Sequence, residues 1–147
     1  MKILVPVDGS NYSMEGIKVA SEFSRTRIAG IYLITIMPYI SDMDLELSAS
    51  DRDRLLEGMK RRGEDVLEKA RNLLESYGAH YIRTVLSIST SAAHEIVTFA
   101  EKEVIDLIII GSRGLGSGAR FFLGSVATKV VKHSPCCVYV VRGPSWT

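Results

Sequence analysis

Five short apolar runs, spaced by helix-periodic segments, constrain this chain more than any other feature. The runs are Ile3–Val7, Ile28–Met37, Tyr81–Ile88, Asp106–Ile110 and Cys137–Val141. They are rich in Ile, Val and Leu and nearly free of charge, so both faces of each must be covered. Strands covered on both faces and joined by helices belong to a parallel sheet, and right-handed crossovers place the helices on both sides of it. The order β-α-β-α-β-α-β-α-β therefore predicts an α/β fold, a five-stranded parallel doubly wound sheet forming a single domain over 1–147. A chain of 147 residues can support such a core without staples, since at that size roughly 68–70% of the unfolded surface is buried.

The helices are marked by spacing and caps. Ser10 or Asn11 can cap a first helix carrying Ile17, Ala20 and Phe23. Residues 39–50 read as a loop. The longest helix carries Leu55, Leu56, Met59, Val66, Leu67, Ala70, Leu73, Leu74 and Tyr77, with Ser50 and Asp53 as its capping pair and Gly78 as its stop. Its Glu, Lys and Arg residues fill the opposite, solvated face. Ser89-Thr90-Ser91 offers caps for a third helix through Ile96, Val97 and Ala100. Leu123–His133 is a fourth, ended by Ser134-Pro135.

Charge is nearly balanced overall, at +1, which argues against a general nucleic-acid binder. The balance hides an asymmetry. The first 106 residues hold thirteen basic against seventeen acidic side chains, whereas Leu107–Thr147 holds no acid and five bases, Arg113, Arg120, Lys129, Lys132 and Arg142. No apolar run approaches the ~18–20 residues of a membrane span. Met1-Lys2 leads directly into the first strand, so no signal peptide is expected. Cys136 and Cys137 are neighbours whose side chains diverge in a strand, which predicts reduced thiols, one in the core and one at the surface, in a cytoplasmic protein.

Two loops at strand ends hold the candidate chemistry. One is Val7-Asp8-Gly9-Ser10. The other begins at Gly111 and runs through Gly114, Gly116 and Gly118 to Gly124-Ser125, with five of the chain's twelve glycines between 111 and 124. In doubly wound sheets ligands sit beyond the carboxyl ends of the strands. Glycines let main-chain N–H groups approach a ligand, and a following helix start adds partial positive charge. With no acid nearby, this is a phosphate cradle, set against the plainer alternative of a surface loop joining strand to helix. Two better-known phosphate motifs fail. Gly111-x4-Gly116-Ser117 lacks the lysine of a P-loop. Gly114-x-Gly116-x-x-Ala119 follows the fourth strand and lacks the acid about 20 residues on that would hold a ribose.

The spacing Gly111-x2-Gly114-x9-Gly124-Ser125 resembles the ATP-binding motif of the universal stress protein family. The opening Ile3-Leu4-Val5-Pro6-Val7-Asp8-Gly9-Ser10, the Ser13 that follows, and the closing His133-Ser134-Pro135-Cys136-Cys137-Val138-Tyr139-Val140-Val141 resemble that family too. The resemblance implies strand order 3-2-1-4-5, which places the two loops side by side. It implies ATP, with Mg²⁺ or Mn²⁺, as the ligand. Gly111, Gly114, Gly124, Ser125 and Val126 would hold ribose and phosphates, Asp8 would lie near ribose and metal, Ile36 would read the adenine edge through its main chain, and Pro6 and Val7 would line the base pocket. The metal would be carried mainly by the phosphates, without protein ligands of its own. For Asp8 a capping role at the first helix is the alternative. Where the family often carries Gly-x-Pro after the third strand, this chain has Thr90-Ser91-Ala92, which puts that part of the pocket rim in question. Arg113 and Arg120 are either phosphate-facing or solvated, and solvation is favoured for Arg120.

His80, His94 and His133 are far apart and show no ligand spacing. There is no Gly-x-Ser-x-Gly elbow, no Ser-Gly-Gly-x-Asp-Ser loop of the pyrophosphatase-type ATP enzymes, and no base poised beside a nucleophile. The expected function is thus an ATP-binding, nucleotide-dependent regulatory or stress-response switch with slow hydrolysis at most. The alternatives are a nucleotide-free dimeric interaction module and a true ATPase or phosphotransferase. The last strand should be an apolar sheet edge, and the resemblance implies a homodimer through Val138, Tyr139, Val140 and Val141, with Trp146 as a further contact and a protein partner still to be named.

Overall fold

The computed structural model describes residues 1–26, 28–39, 46–113 and 123–143. Strands β1 (Lys2–Pro6), β2 (Gly30–Pro38), β3 (Ile82–Ser89), β4 (Leu107–Gly111) and β5 (Cys137–Val141) form one sheet in the order β3-β2-β1-β4-β5, every pairing parallel. Helices α1 (Asn11–Thr26), α2 (Ala49–Ser76), α3 (Ala92–Lys102) and α4 (Ser125–His133) alternate with the strands. The doubly wound α/β fold and its strand order match the sequence expectation.

The period-2 geometry of β1 divides the core in two. Ile3, Val5 and Val7 face Ile17 and Ala20 of α1 and Leu67, Ala70 and Leu74 of α2. Leu4 faces the other way, toward Ile96 and Ala100 of α3 and Ala127 and Val130 of α4. Ile3, Leu4 and Val5 are completely buried, which is why this strand carries no polar residue after Lys2. On the α3 side, Tyr32 meets Phe99 edge-on with ring centroids 5.6 Å apart. Among the described residues no helix is long and apolar enough to cross a membrane. Cys136 is half-buried, Cys137 is exposed, and both are free thiols.

Several boundaries differ from the sequence reading, each for a local reason. The second strand begins at Gly30, where the β1–β2 register starts at Lys2↔Gly30; the Ile28 carbonyl, ahead of the ladder, accepts from the Met1 ammonium at 3.4 Å. Ile28, for all its β-branching, is 85% exposed. The long helix starts at Ala49. Its cap is Ser48, whose hydroxyl accepts from the Asp51 N–H (3.2 Å) and donates to the Asp51 carboxylate (2.8 Å). The Ser50–Asp53 pair repeats the same spacing two residues later and is already helical. Tyr81 precedes β3, and Leu123 precedes α4.

Leu4→Ala would leave a cavity between the sheet and α3/α4. The expected cost is about 2–5 kcal/mol, read as a lowered urea midpoint with an unchanged m-value.

Candidate functional site

The carboxyl end of β1 is where the helices diverge: the chain leaves β1 to α1 on one face, whereas β4, beside β1, leads to α4 on the other. A crevice must open between such strands. Here it is a cleft of about 480 Å³. Of the residues expected at a site, Pro6, Val7, Asp8, Ile36, Gly111, Gly124, Ser125 and Val126 all line it, and so does Arg113. Gly114 and Arg120 lie outside the described residues, as does Trp146.

The loop after β1 is held by a compact hydrogen-bond set. Val7 still donates to the Ile34 carbonyl (2.9 Å), and its own carbonyl accepts from the buried Thr35 hydroxyl (2.8 Å). Gly9 takes φ +85°, the turn that reverses the chain. Ser10 then caps α1, its hydroxyl accepting from the Ser13 N–H at 3.2 Å. Asp8 therefore is not the cap. One of its carboxylate oxygens accepts from the Ser10 N–H at 2.9 Å, an Asx-turn that shapes the loop. Buried Ser13 ties the loop to the helix: its hydroxyl donates to the Ser10 carbonyl (3.0 Å) and accepts from the Asp8 N–H (3.3 Å).

The second wall is built around Gly111, Gly124 and the start of α4. A Cβ on Gly111 would stand 2.9 Å from the Tyr12 main-chain carbon, so this glycine is what lets α1 close on the end of β4. Gly124 is the N-cap of α4, with φ −60° and ψ 159° and no side-chain capping bond. The first N–H groups of the helix are thus left without a side-chain acceptor, at the end that carries the positive half of the helix dipole. Gly124 donates its own N–H to the Ser112 carbonyl (2.7 Å), and Ser112 donates to the Val141 carbonyl (2.7 Å). A chain of main-chain bonds thus joins the cleft wall to the last residue of β5.

Ile36 occupies a special position in the register. Gly30 donates to the Met1 carbonyl and Ile34 accepts from Val7, whereas Ile31 donates to Tyr81 and Tyr39 to Ser89. Even-numbered residues of β2 therefore turn their main-chain groups toward β1, and odd-numbered ones toward β3. The N–H and C=O of Ile36 point to the β1 side at a level where β1, paired only to Pro6↔Ile34, has ended.

The apolar floor of the cleft is formed by Ala92, from the Thr90-Ser91-Ala92 segment expected at the rim, and by Ile34, Ile96 and Ile110 with Leu123 beside them, which sequence reasoning did not single out as site residues. These read as ordinary core positions; only the crossover geometry identifies those that border the crevice. Ala92 lines the cleft, whereas Thr90 is exposed and outside it. Ser91 spends its hydroxyl as the cap of α3, accepting from the His94 N–H. Among the described residues no group of three or more His, Cys, Asp or Glu side chains could hold a metal.

Comparison with known proteins places this architecture. The family model for the universal stress protein family matches residues 1–142. Universal stress protein MJ0531 of Methanocaldococcus jannaschii is 36% identical, over 97% of this chain and 82% of the relative. The structure of universal stress protein UspA from Lactobacillus plantarum superposes with a TM-score of 0.83 at 27% identity, covering 97% of each chain. A universal stress protein family protein from Arabidopsis thaliana, solved with AMP bound, shares the fold at a TM-score of 0.72 and 20% identity, over 98% of this chain and 92% of that one. An α/β sheet of this order with a crevice at its switch point defines a class of doubly wound proteins. Within that class, the chain belongs to the universal stress protein family.

Ser13→Ala would strip the Asp8 N–H of its acceptor. The expected loss is about 1–3 kcal/mol, seen as a lower melting temperature together with faster amide exchange at Asp8.

Proposed function

We propose that the chain binds an adenine nucleotide, ATP with Mg²⁺ or Mn²⁺, in this cleft and works as a cytoplasmic, nucleotide-dependent regulatory switch of the stress response. The observation that carries the reading is the pair of main-chain groups on Ile36 facing the open end of β1. One acceptor beside one donor complements the N6 amino group and N1 of adenine. The apolar floor of Ile34, Ala92, Ile96 and Ile110 suits the flat faces of a purine. At the other end of the cleft, Gly124, Ser125 and Val126 offer the start of a nine-residue helix to phosphate oxygens. Arg113 lines the same wall. The AMP-bound relative from Arabidopsis thaliana supports adenine nucleotide as the ligand class.

Asp8 is the one carboxylate among the described cleft residues. With one oxygen held by Ser10, it suits ribose hydroxyls or a phosphate-bound metal better than bare phosphate. A single carboxylate does not build a metal site, so the phosphates would carry the metal. Among the described residues lining the cleft none is a general base beside a nucleophile, which fits retention of the nucleotide over turnover. The unpaired thiols Cys136 and Cys137 fit a reducing compartment.

The calorimetric titration that tests this uses ATP, ADP and AMP on wild type and Gly124→Val. Valine tolerates the φ and ψ that Gly124 adopts, so the fold should persist while affinity falls at least ~10-fold. Wild-type protein without affinity for any of the three, or unchanged affinity in the variant, would remove the assignment.

The proposal extends to a homodimer through β5. That strand pairs only with β4. Tyr139 is 45% exposed on it, resting edge-on against Phe23 at 6.1 Å. An apolar free edge is a template for a second copy. Tyr139→Asp should shift the light-scattering mass from two chains to one; a wild-type mass of one chain contradicts the pairing.

A further inference from the structure

We propose that the opposite rim of the sheet, around Ile28 and Tyr81, docks an acidic peptide segment carrying an aliphatic or aromatic anchor. Two neighbouring hollows of about 460 and 300 Å³ open at the amino-terminal ends of β1, β2 and β3, and they share Ile28, His80 and Tyr81. Ile28 is 85% and Tyr81 67% exposed, far more than large apolar side chains need to be in a chain of this size. Both are tied to the sheet through their main chains: the Ile28 carbonyl accepts from the Met1 ammonium at 3.4 Å, and the Tyr81 carbonyl accepts from the Ile31 N–H at 2.8 Å. An apolar pair so anchored beside a hollow is the form of an interface anchor site.

Charge decides the kind of partner. Lys2, Arg25 and Arg83 line the two hollows with His80 beside them, and among the described lining residues there is no Asp or Glu. The whole chain, by contrast, has 17 acids against 18 Lys and Arg, so the segregation is local. Arg83 lies over the Tyr32 ring at 5.9 Å, which holds its guanidinium at the rim. The nearby Asp106 carboxylate is occupied by the Lys2 main-chain N–H at 2.7 Å. A cationic border around exposed Ile and Tyr complements acidic residues flanking an apolar one. A single-stranded nucleic acid fits less well, because it needs successive aromatic platforms along a groove, and Tyr81 is the one aromatic side chain strongly exposed there. This surface lies at the far end of the strands from the nucleotide cleft and does not depend on it.

The test is fluorescence anisotropy with the full chain and a short fluorescein-labelled peptide of Asp and Glu around Leu and Phe anchors. Binding to wild type is expected, weakened at least ~10-fold by Tyr81→Ala and by Arg83→Glu, with the melting temperatures of the variants checked to confirm folding. The same peptide with its acids replaced by Asn and Gln should bind at least ~10-fold more weakly. No binding to wild type, binding unaffected by either variant, equal binding of the neutral peptide, or oligouridine competing for the same surface would each overturn the proposal.

Discussion

β1 runs for five residues beside a β2 of nine, and that difference in length is what the cleft depends on. Had β1 continued, Asp8 and its successors would have taken the main-chain groups of Ile36 and sealed the crevice. It stops because Gly9, with φ +85°, reverses the chain into α1 two residues after Val7 donates to the Ile34 carbonyl of β2. Ser10, Ser13 and Asp8 then hold the turn among themselves. The strand that holds the fully buried Ile3, Leu4 and Val5 is therefore also the one whose end opens the cleft, and core and crevice originate in the same short segment.

Much of this was legible in the residues. The apolar runs marked the strands: β1, β2 and β4 are buried on both faces and leave no room for polar alternation, whereas β3 and β5 at the margins are half-exposed. The glycines at 111 and 124 pointed to a wall made of main chain. What escaped was set by register and not by composition. Ile28 looks like strand but lies ahead of the first ladder pair, Lys2↔Gly30. Ser48 and Ser50 offer the same capping spacing two residues apart, and only the structure distinguishes them. Asp8 could be read as a cap until Ser10 was seen to take that role. The floor residues Ile34, Ile96 and Ile110 carry no signal of their own, since an Ile bordering a crevice and an Ile in a core look alike in sequence.

The two ends of the parallel sheet differ in kind. At the carboxyl end the chain presents backbone donors, glycines and one carboxylate. At the amino end it presents cations and exposed apolar side chains. A parallel arrangement makes this possible, because all five strands begin on one rim and finish on the other, so each rim collects loops of one type only.

The bonds Val141–Ser112–Gly124 give the edge strand an address inside the cleft. Two peptide units in series tie the start of α4 to the tail of β5. A displacement at that helix start has a short main-chain route to the outermost margin of the sheet.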